Sequence, residues 1–370
     1  MLQDDERWMR RALRLAEKGR GRTSPNPMVG AVLVKREIVV GEGYHARAGE
    51  PHAEIHALHA AGEKARGATL YINLEPCSHY GRTPPCAPAL VRAGVKRVVI
   101  GMEDPNPLVK GRGLKILRKA GLDVKTGVLG EACERLNEIF CKYIQTRMPF
   151  VILKIAASLD GKIATSRGES KWITGEPSRR LVHQLRNQVD GLLVGVGTVL
   201  KDDPMLTARL TGGRDPYRII LDSRLRTPER AQVILHKPEK TILATTDLAS
   251  KKRKGYFEKA GVSVLTLNSI QGKVDLRSLL IRLGQLGFTS LLVEGGAEVN
   301  GSFLRSGLID KILLFLAPKL IGGDEAYGIF GQGRGPTLKD ALLLHSLKVR
   351  KIGEDLLIEG YPKSTCLQAS

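Results

Sequence analysis

Two short stretches decide the fold and the chemistry: Gly49-Glu50-Pro51-His52-Ala53-Glu54, and Glu75-Pro76-Cys77 with Cys86 further along the chain. Together they supply an imidazole, two thiols and a carboxylate, the side chains that hold zinc and move protons. Three protein ligands leave the fourth position of a tetrahedral zinc site for water, which is typical of catalytic zinc. Zinc lowers the pKa of that water towards about 7, which makes hydroxide available at neutral pH. His52, Cys77 and Cys86 are therefore the predicted ligands.

The spacing of the two cysteines is unusual for a base deaminase. The signature of those enzymes is H-x-E followed by P-C-x-x-C, with the glutamate as general acid and base. His52 and Glu54 match its first half and Pro76-Cys77 its second, but residues 78–85 separate Cys77 from Cys86. The pattern still predicts a zinc-dependent deaminase with Glu54 as the proton shuttle. His79 lies between the two cysteines and could be a ligand, but we interpret it as a substrate contact.

Composition sets limits on the class of protein. A chain of 370 residues with 42% hydrophobic residues predicts two globular domains. Its sequence has no transmembrane stretch, and its acidic start argues against a signal peptide. Five cysteines, an odd and small number, favour a reducing compartment, so we expect a cytoplasmic protein that binds no membrane.

The charge of the chain is strongly positive. There are 58 Lys and Arg against 38 Asp and Glu, a formal net charge of +20. Such a field attracts anions, either nucleic acid or phosphorylated small molecules. Because the basic residues are spread along the whole chain, we interpret most of them as a solvated surface.

Strands and helices alternate through the first half, which indicates an α/β layer structure. The pattern predicts a helix at the N-terminus, a hairpin over 28–44, a helix from His52 and a last helix over 130–146. Arg147-Met148-Pro149 is the predicted boundary, because proline ends a helix. The predicted domains are 1–146 and 147–363, followed by a tail over 364–370.

Glycine turns mark two places in the second half. Strands are predicted over 192–196 and 290–293, and each runs into glycines, at Gly195-Val196-Gly197 and Gly295-Gly296. A glycine turn between a strand and a helix lets backbone N–H groups approach a phosphate. The full dinucleotide-binding fingerprint is missing. From the sequence alone, each of these glycine turns could therefore bind a phosphate or be merely a tight turn.

Four stretches of the first half resemble a known family: residues 23–31 (TSPNPMVGA), 43–45 (GYH), 51–54 (PHAE) and 75–86 (EPCSHYGRTPPC). They are similar to the deaminase half of the bifunctional riboflavin-biosynthesis deaminase/reductases. The long loop between the cysteines separates that family from tRNA and cytidine deaminases. The resemblance implies a cytidine-deaminase-like α/β/α domain with zinc on His52, Cys77 and Cys86 and with Glu54 as proton shuttle. It also implies that the pyrimidine is faced by Asn26, His45 and His79.

Stretches of the second half are similar to the reductase half of the same family: 154–161 (KIAASLDG), 168–174 (GESKWIT), 197–207 (GTVLKDDPMLT) and 293–296 (VEGG). The resemblance implies a dihydrofolate-reductase-like α/β domain that uses NADPH. The NADPH contacts that it implies are Ala156, Trp172, Thr198, Asp202, Ser223, Gly296, Ala297, Glu298, Val299, Asn300, Gly301 and Ser302. The substrate contacts that it implies are Ser170, Arg186, Leu206, Arg209 and Glu294, the two arginines being suited to a ribose phosphate.

These observations predict a cytoplasmic, homo-oligomeric enzyme of riboflavin synthesis that acts on phosphorylated pyrimidine ribotides and not on nucleic acid. The resemblance implies deamination of 2,5-diamino-6-ribosylamino-4(3H)-pyrimidinone 5′-phosphate, followed by NADPH-dependent reduction of the ribosyl chain. One alternative is a nucleic-acid base deaminase with a basic accessory domain, which the charge favours. Another is a zinc protein that only binds a partner, which would leave Glu54 idle.

Overall fold

A computed structural model describes residues 2–80, 84–107, 109–331 and 337–363. The chain divides into two compact units, Met1–Arg147 and Met148–Ser370. Among the described helices, none is long and apolar enough to cross a membrane.

The first unit alternates helices with strands. In chain order its elements are α1 (Leu2–Glu17), β1 (Gly30–Lys35), β2 (Ile38–Tyr44), α2 (Ala53–Ala61), β3 (Thr69–Leu74), α3 (Cys86–Arg92), β4 (Arg97–Met102), α4 (Arg112–Lys119), β5 (Asp123–Lys125), α5 (Gly130–Leu136) and α6 (Glu138–Thr146).

The five strands form one sheet in the order β2-β1-β3-β4-β5. Strand β1 is antiparallel to both of its neighbours, whereas β3, β4 and β5 are parallel. The core is made by buried residues of β1, β3 and β4 with the apolar faces of α1, α2 and α4. Helix α2 lies close against β2, because a side chain at Gly41 would come within 2.3 Å of the carbonyl oxygen of Ala57. This contact fixes the position of the helix that carries Glu54.

The prediction of a single helix over 130–146 is wrong, because two helices, α5 and α6, occupy that range. They meet at Asn137, whose side chain is 2% exposed. Its Oδ1 accepts a hydrogen bond from the Met28 N–H at 2.8 Å, and its Nδ2 donates to the Met28 carbonyl at 3.0 Å. The buried amide needs both bonds, and they hold the chain beside β1 at the point where the two helices meet.

The second unit has the larger sheet. Its elements in chain order are β6 (Phe150–Ser158), β7 (Lys162–Ala164), α7 (Glu176–Gln188), β8 (Gly191–Gly195), α8 (Val196–Asp202), β9 (Tyr217–Leu221), α9 (Gln232–Leu235), β10 (Thr241–Thr245), α10 (Lys251–Lys259), β11 (Ser263–Thr266), β12 (Ser269–Ile270), β13 (Lys273–Val274), α11 (Leu276–Gln285), β14 (Ser290–Val293), α12 (Ala297–Arg305), β15 (Lys311–Ala317), β16 (Tyr327–Gly328), β17 (Leu344–Ile352) and β18 (Asp355–Pro362).

Nine of these strands form a sheet in the order β11-β10-β9-β8-β14-β6-β15-β18-β17. The pairs from β11 to β15 are all parallel, and β18 and β17 add an antiparallel edge. Because the strands run the same way, the segments that follow β9, β8, β14 and β6 meet at one edge of the sheet. Ligands bind at such carboxyl edges in α/β proteins.

Candidate active sites

The three predicted zinc ligands lie together in the first unit. Nδ1 of His52 is 3.5 Å from Sγ of Cys77 and 3.4 Å from Sγ of Cys86. All three ligand atoms lie within 4.8 Å of one another. Tetrahedral zinc, with bonds of about 2.0 Å to nitrogen and 2.3 Å to sulfur, places those atoms about 3.5 Å apart. The donor set and its spacing therefore fit a zinc ion with one open position.

Each ligand stands where a helix begins or a strand ends. His52 is the residue before α2, in an extended conformation after Pro51. Cys77 lies three residues after the end of β3, and Cys86 is the first residue of α3. Sγ of Cys77 accepts a hydrogen bond from the Cys86 backbone N–H at 3.3 Å. The long segment between the cysteines thus returns to the same point, so its length does not change the ligand geometry.

Glu54 lies in the first turn of α2 and its side chain is 3% exposed. Burial and the neighbouring Cys77 raise the pKa of its carboxyl to about 7, although His52 opposes the shift. A carboxyl with a pKa near neutrality can both accept and return a proton. Its place beside the ligands is the one that a proton shuttle needs.

The predicted pyrimidine contacts Asn26 and His45 bind each other. Nδ2 of Asn26 lies 3.1 Å from Nε2 of His45, and Nδ1 of His45 lies 3.2 Å from the Pro51 carbonyl. An amide N–H donates, so Nε2 accepts and Nδ1 carries the proton that goes to the carbonyl. Burial lowers the pKa of His45, which agrees with this neutral tautomer. The Asn26 side chain is thereby held by His45, whose ring centre is 5.3 Å from that of His52.

A carboxylate that the sequence analysis did not single out braces the turn before Cys77. Glu75 is 3% exposed and accepts hydrogen bonds from four backbone N–H groups. These donors are at 2.9 to 3.3 Å and belong to Asp104, Gly111, Gly113 and Leu114. Three of them lie in or next to the first turn of α4, where the helix dipole favours an anion. Its position directly before Pro76-Cys77 is the signal that could have identified it.

The loop between the cysteines is described only in part. His79 and Tyr80 are exposed, whereas residues 81–83 of this loop and the predicted tail lie outside the described residues. Asp104 is buried near this loop, and burial raises the pKa of its carboxyl to about 6. Asp104 is a second acidic group of this site that the sequence analysis missed.

The second unit has a cavity of about 2010 Å³ at the carboxyl edge of its sheet. A drug-sized ligand occupies a pocket of about 300 to 1,000 Å³, so this cavity has room for two ligands. All five predicted substrate residues line it: Ser170, Arg186, Leu206, Arg209 and Glu294. So do all the predicted NADPH contacts but one: Ala156, Trp172, Thr198, Asp202, Ser223, Gly296, Ala297, Glu298, Val299, Asn300 and Ser302. The exception, Gly301, faces the backbone of Phe330.

An ion-pair network of three residues lies in the wall of the cavity. Arg186 donates from Nε and a terminal nitrogen to the two carboxylate oxygens of Glu294, at 2.8 and 2.9 Å. Nζ of Lys154, which the sequence analysis missed, is 3.1 Å from the same carboxylate. Burial alone would raise the pKa of Glu294, but Arg186 and Lys154 hold it well below its usual range. Arg186 therefore already has a carboxylate partner, whereas the exposed Arg209 has no hydrogen bond through its side chain to another described residue.

Other predicted contacts line different walls of the cavity. Trp172 is 60% exposed, so it is not a core residue, and the Arg179 guanidinium lies 4.6 Å from its ring centre. Gly296 stands opposite Thr198, since a Cβ there would be 3.9 Å from Oγ1 of Thr198. Oγ of Ser223 accepts a hydrogen bond from the Val274 N–H at 3.2 Å.

Comparison with protein families matches each unit separately. Residues 2–102 match the cytidine and deoxycytidylate deaminase zinc-binding region. Residues 149–358 match the RibD C-terminal domain.

Relatives match nearly the whole chain. The riboflavin biosynthesis protein RibD of Actinobacillus pleuropneumoniae is 46% identical over 95% of this chain and 94% of its own. That of Escherichia coli is 45% identical over 96% of this chain and 98% of its own. Among solved structures, RibD of Acinetobacter baumannii is 40% identical, with a TM-score of 0.88 over 98% of this chain and all of the other. A Thermotoga maritima protein is 38% identical, with a TM-score of 0.85 over 98% of this chain and 99% of its own.

Fold and site together define a zinc-dependent deaminase joined to a reductase. The chain belongs to the RibD family of riboflavin biosynthesis proteins. It is a bifunctional enzyme, a hydrolase in its deaminase activity and an oxidoreductase in its reductase activity, and its cofactors are zinc and NADPH. The predicted fold class, a cytidine-deaminase-like domain followed by the reductase domain, is confirmed.

Proposed function

We propose that the first unit removes the 2-amino group of 2,5-diamino-6-ribosylamino-4(3H)-pyrimidinone 5′-phosphate and that the second reduces the ribosyl chain of the product. The Thermotoga maritima relative is described as a diaminohydroxyphosphoribosylaminopyrimidine deaminase and 5-amino-6-(5-phosphoribosylamino)uracil reductase. The observation that carries the proposal is the pairing of a His-Cys-Cys cluster with a large cavity lined by almost all of the predicted reductase contacts.

In the deaminase step, His52, Cys77 and Cys86 hold zinc, which supplies an activated water near neutral pH. Glu54 would take one proton from that water and deliver it to the ring nitrogen, and it would then carry the second proton of the water to the amino group, which leaves as ammonia. Its burial keeps bulk water from competing for the proton, and its pKa of about 7 suits both transfers. Asn26 and His45, fixed by their mutual hydrogen bond, orient the pyrimidine together with His79.

In the reductase step, we place NADPH along the carboxyl edge of the sheet. Ala156 and Trp172 would hold its nicotinamide, and Thr198 and the start of α12 at Gly296 would hold its diphosphate. The helix dipole and the free N–H groups of the first turn favour the diphosphate there. The remaining contacts of α12 are Ala297, Glu298, Val299, Asn300, Gly301 and Ser302, and those further along the edge are Asp202 and Ser223.

The sugar phosphate of the substrate needs a cation with free donors. Arg209 is exposed at the cavity wall, and its guanidinium matches the geometry of a phosphate. We assign it the phosphate, with Ser170 and Leu206 beside it. Arg186 orients Glu294 towards the sugar and adds positive charge.

One assay tests both activities. The diaminopyrimidine ribotide is supplied with and without NADPH, and ammonia release and NADPH oxidation are followed separately. We expect ammonia in both cases and NADPH oxidation only after deamination. Deamination of an oligonucleotide, with salt-sensitive binding, would instead favour a nucleic-acid base deaminase.

We further propose a homo-oligomer that works in the cytoplasm on phosphorylated small molecules and binds neither nucleic acid nor membrane. Among the described residues, Cys77, Cys86, Cys133 and Cys141 form no disulfide, which suits a reducing compartment. Strand β17 is the edge of the nine-stranded sheet, and Leu347 and Val349 on it are 57% and 62% exposed. A long edge strand with exposed apolar side chains is normally covered, and we propose that a second copy of the chain covers this one.

The oligomer proposal has a direct test. Leu347→Lys with Val349→Lys puts like charges on the edge, so we expect the mass measured by light scattering to fall to that of one chain. Ile281→Lys, at a residue 44% exposed on α11, is the matched control. An unchanged mass in the double variant would refute this role of β17.

A further inference from the structure

His183 is a half-buried histidine in the cavity wall that the proposed function does not yet use. It lies on α7 and lines the cavity together with Arg179 and Arg186. Because these arginines are four residues before it and three residues after it, the three side chains share one face of the helix. His183 therefore lies between two arginines on the face of α7 that borders the cavity.

One nitrogen of the His183 ring is buried without a partner. Among the described residues, none forms a hydrogen bond with its Nδ1. A buried polar atom in this condition weakens the fold, because it has lost its hydrogen bonds to water and gained none in exchange. A histidine that weakens the fold at the wall of a ligand cavity is explained if it serves binding and not stability.

The charges around His183 are mainly positive. Burial lowers the pKa of its imidazole, and three neighbouring guanidinium groups lower it further, those of Arg186, Arg209 and Arg179. The Glu294 carboxylate acts in the opposite direction, but it is already paired with Arg186, at 2.8 Å. The imidazole is therefore neutral at pH 7, and the ligand that suits its surroundings is an anion.

A neutral imidazole carries one N–H, and burial decides which nitrogen holds it. A proton on Nδ1 would be a buried donor without an acceptor, and such donors are rare in folded proteins. The proton therefore belongs on Nε2, the ring nitrogen that is left to face the cavity. His183 thus offers the cavity one uncharged donor among the guanidinium groups.

We propose that His183 positions the reductase substrate by donating a hydrogen bond from Nε2 to an oxygen of its ribose phosphate, beside Arg209. The inference rests on the proposed reductase function and on the assignment of Arg209 to that phosphate. The diphosphate of NADPH has its proposed place at the start of α12, so the anion near α7 is the one on the substrate.

The chemistry of the two groups matches. The oxygens of a phosphate dianion only accept hydrogen bonds, and a hydrogen bond to a charged group is stronger than one between neutral groups. The phosphate is remote from the sugar carbon that receives the hydride. The contact therefore acts on the binding of the ribotide and not on hydride transfer.

The test compares two ligands on the full-length protein. Calorimetry gives the Kd of the reduced ribotide product and of the same compound without its phosphate. His183→Leu has no donor at this position, whereas the amide N–H of His183→Gln can replace Nε2. Gln184→Leu is the matched control, at an exposed residue of α7 that does not line the cavity.

We expect the unaltered chain to bind the phosphorylated compound more tightly. His183→Leu should reduce that preference at least about tenfold, and His183→Gln by less than about threefold. Gln184→Leu should keep the preference in full.

Kinetics and unfolding then separate a role in binding from a role in the fold. In His183→Leu, the KM for the deaminated ribotide should rise at least about tenfold, while kcat for NADPH oxidation stays within about threefold. Urea unfolding without ligands should show no loss of stability in this variant, because the substitution removes a buried nitrogen that has no partner among the described residues.

Three results would overturn the assignment of His183. One is an unchanged preference for the phosphorylated compound in His183→Leu. Another is a fall in kcat with an unchanged KM, which would indicate a role in the chemical step. The third is a loss of stability that accompanies the weaker binding in both His183 variants, which would indicate a structural role. If the unaltered chain does not oxidise NADPH with the deaminated ribotide, the proposed reductase function itself fails, and the assignment of His183 with it.

Discussion

Glu54 is the residue on which the deaminase proposal depends most directly. Glu54→Gln keeps the size of the side chain and all three zinc ligands, but the amide cannot accept and return a proton. We expect kcat for ammonia release to fall about 10²- to 10⁴-fold with one zinc per chain retained. The rate is measured by ammonia release and the zinc by atomic absorption.

The matched control is Glu63→Gln, a change at an exposed carboxylate of the same unit, which should leave both quantities unchanged. Normal turnover in the Glu54 variant would remove this residue from the mechanism.

Glu294 leads to a prediction on pH and stability. Arg186 and Lys154 hold the pKa of this buried carboxyl well below its usual value of 4.5, against the effect of burial. A depressed pKa means that the ionised carboxylate stabilises the fold fully above about pH 4.5 and less as the pH falls below that value. Glu294→Gln leaves the cations of Arg186 and Lys154 without their carboxylate partner. We therefore expect the free energy of unfolding to fall by about 3 to 5 kcal/mol at pH 7, and by less below about pH 4.5. Urea unfolding followed by circular dichroism measures both.

The exposed pair Glu298–Lys273 provides the control, because such a pair contributes at most about 1 kcal/mol. Glu298→Gln should therefore change the free energy of unfolding little, both at pH 7 and below about pH 4.5. If the fall in the free energy of unfolding of Glu294→Gln were independent of pH, loss of the ion pairs of Glu294 would not be its cause.

Sequence reasoning identified single residues where a short motif carries the chemistry. His52, Glu54 and Cys77 follow a signature whose spacing reflects a helix start and a strand end, so local pattern was enough. It did not find Lys154 or the pairing of Arg186 with Glu294, because the two partners are 108 residues apart. Such pairs exist only once the sheet has brought β6, β14 and α7 together.

Among the elements, α4 positions the proposed zinc site, because it packs against the turn that carries Cys77. A side chain at Gly113 would come within 2.1 Å of the Pro76 carbonyl oxygen, which directly precedes Cys77. Gly113→Ala should therefore push α4 and the Pro76-Cys77 turn apart, at a cost of about 1 to 3 kcal/mol, and weaken zinc binding. Chelator competition measures zinc affinity, and urea unfolding measures stability.

Lys115→Ala, at an exposed position of the same helix, is the matched control and should preserve zinc affinity. If Gly113→Ala were less stable yet held zinc as tightly as the unaltered chain, α4 would not position Cys77.

Elements with a strong local pattern were predictable, and those set by distant contacts were not. Strands β3 and β4 are short apolar runs bounded by turns, and the sequence shows them plainly. The end of α5 depends on the side chain of Asn137 reaching the backbone of Met28, 109 residues away. No local periodicity encodes that bond.

At the scale of the whole molecule, the two activities belong to separate units. The proposed zinc ligands and Glu54 lie in Met1–Arg147, and every residue that lines the cavity lies in Met148–Ser370. Each unit also has a hydrophobic core of its own. The chain divides into the two units after Arg147, and Pro149 is the residue from which the sequence predicts a boundary in this segment.

Removal of zinc tests this separation. After dialysis against a chelator, ammonia release from the diaminopyrimidine ribotide should stop, because the site has lost the ion that activates water. NADPH oxidation with the already deaminated ribotide should continue at no less than half its rate, since none of the residues that line the cavity binds zinc in this proposal. Restoring one equivalent of zinc should restore ammonia release, which controls for unfolding. Loss of both activities on zinc removal would mean that the reductase unit depends on an intact deaminase unit.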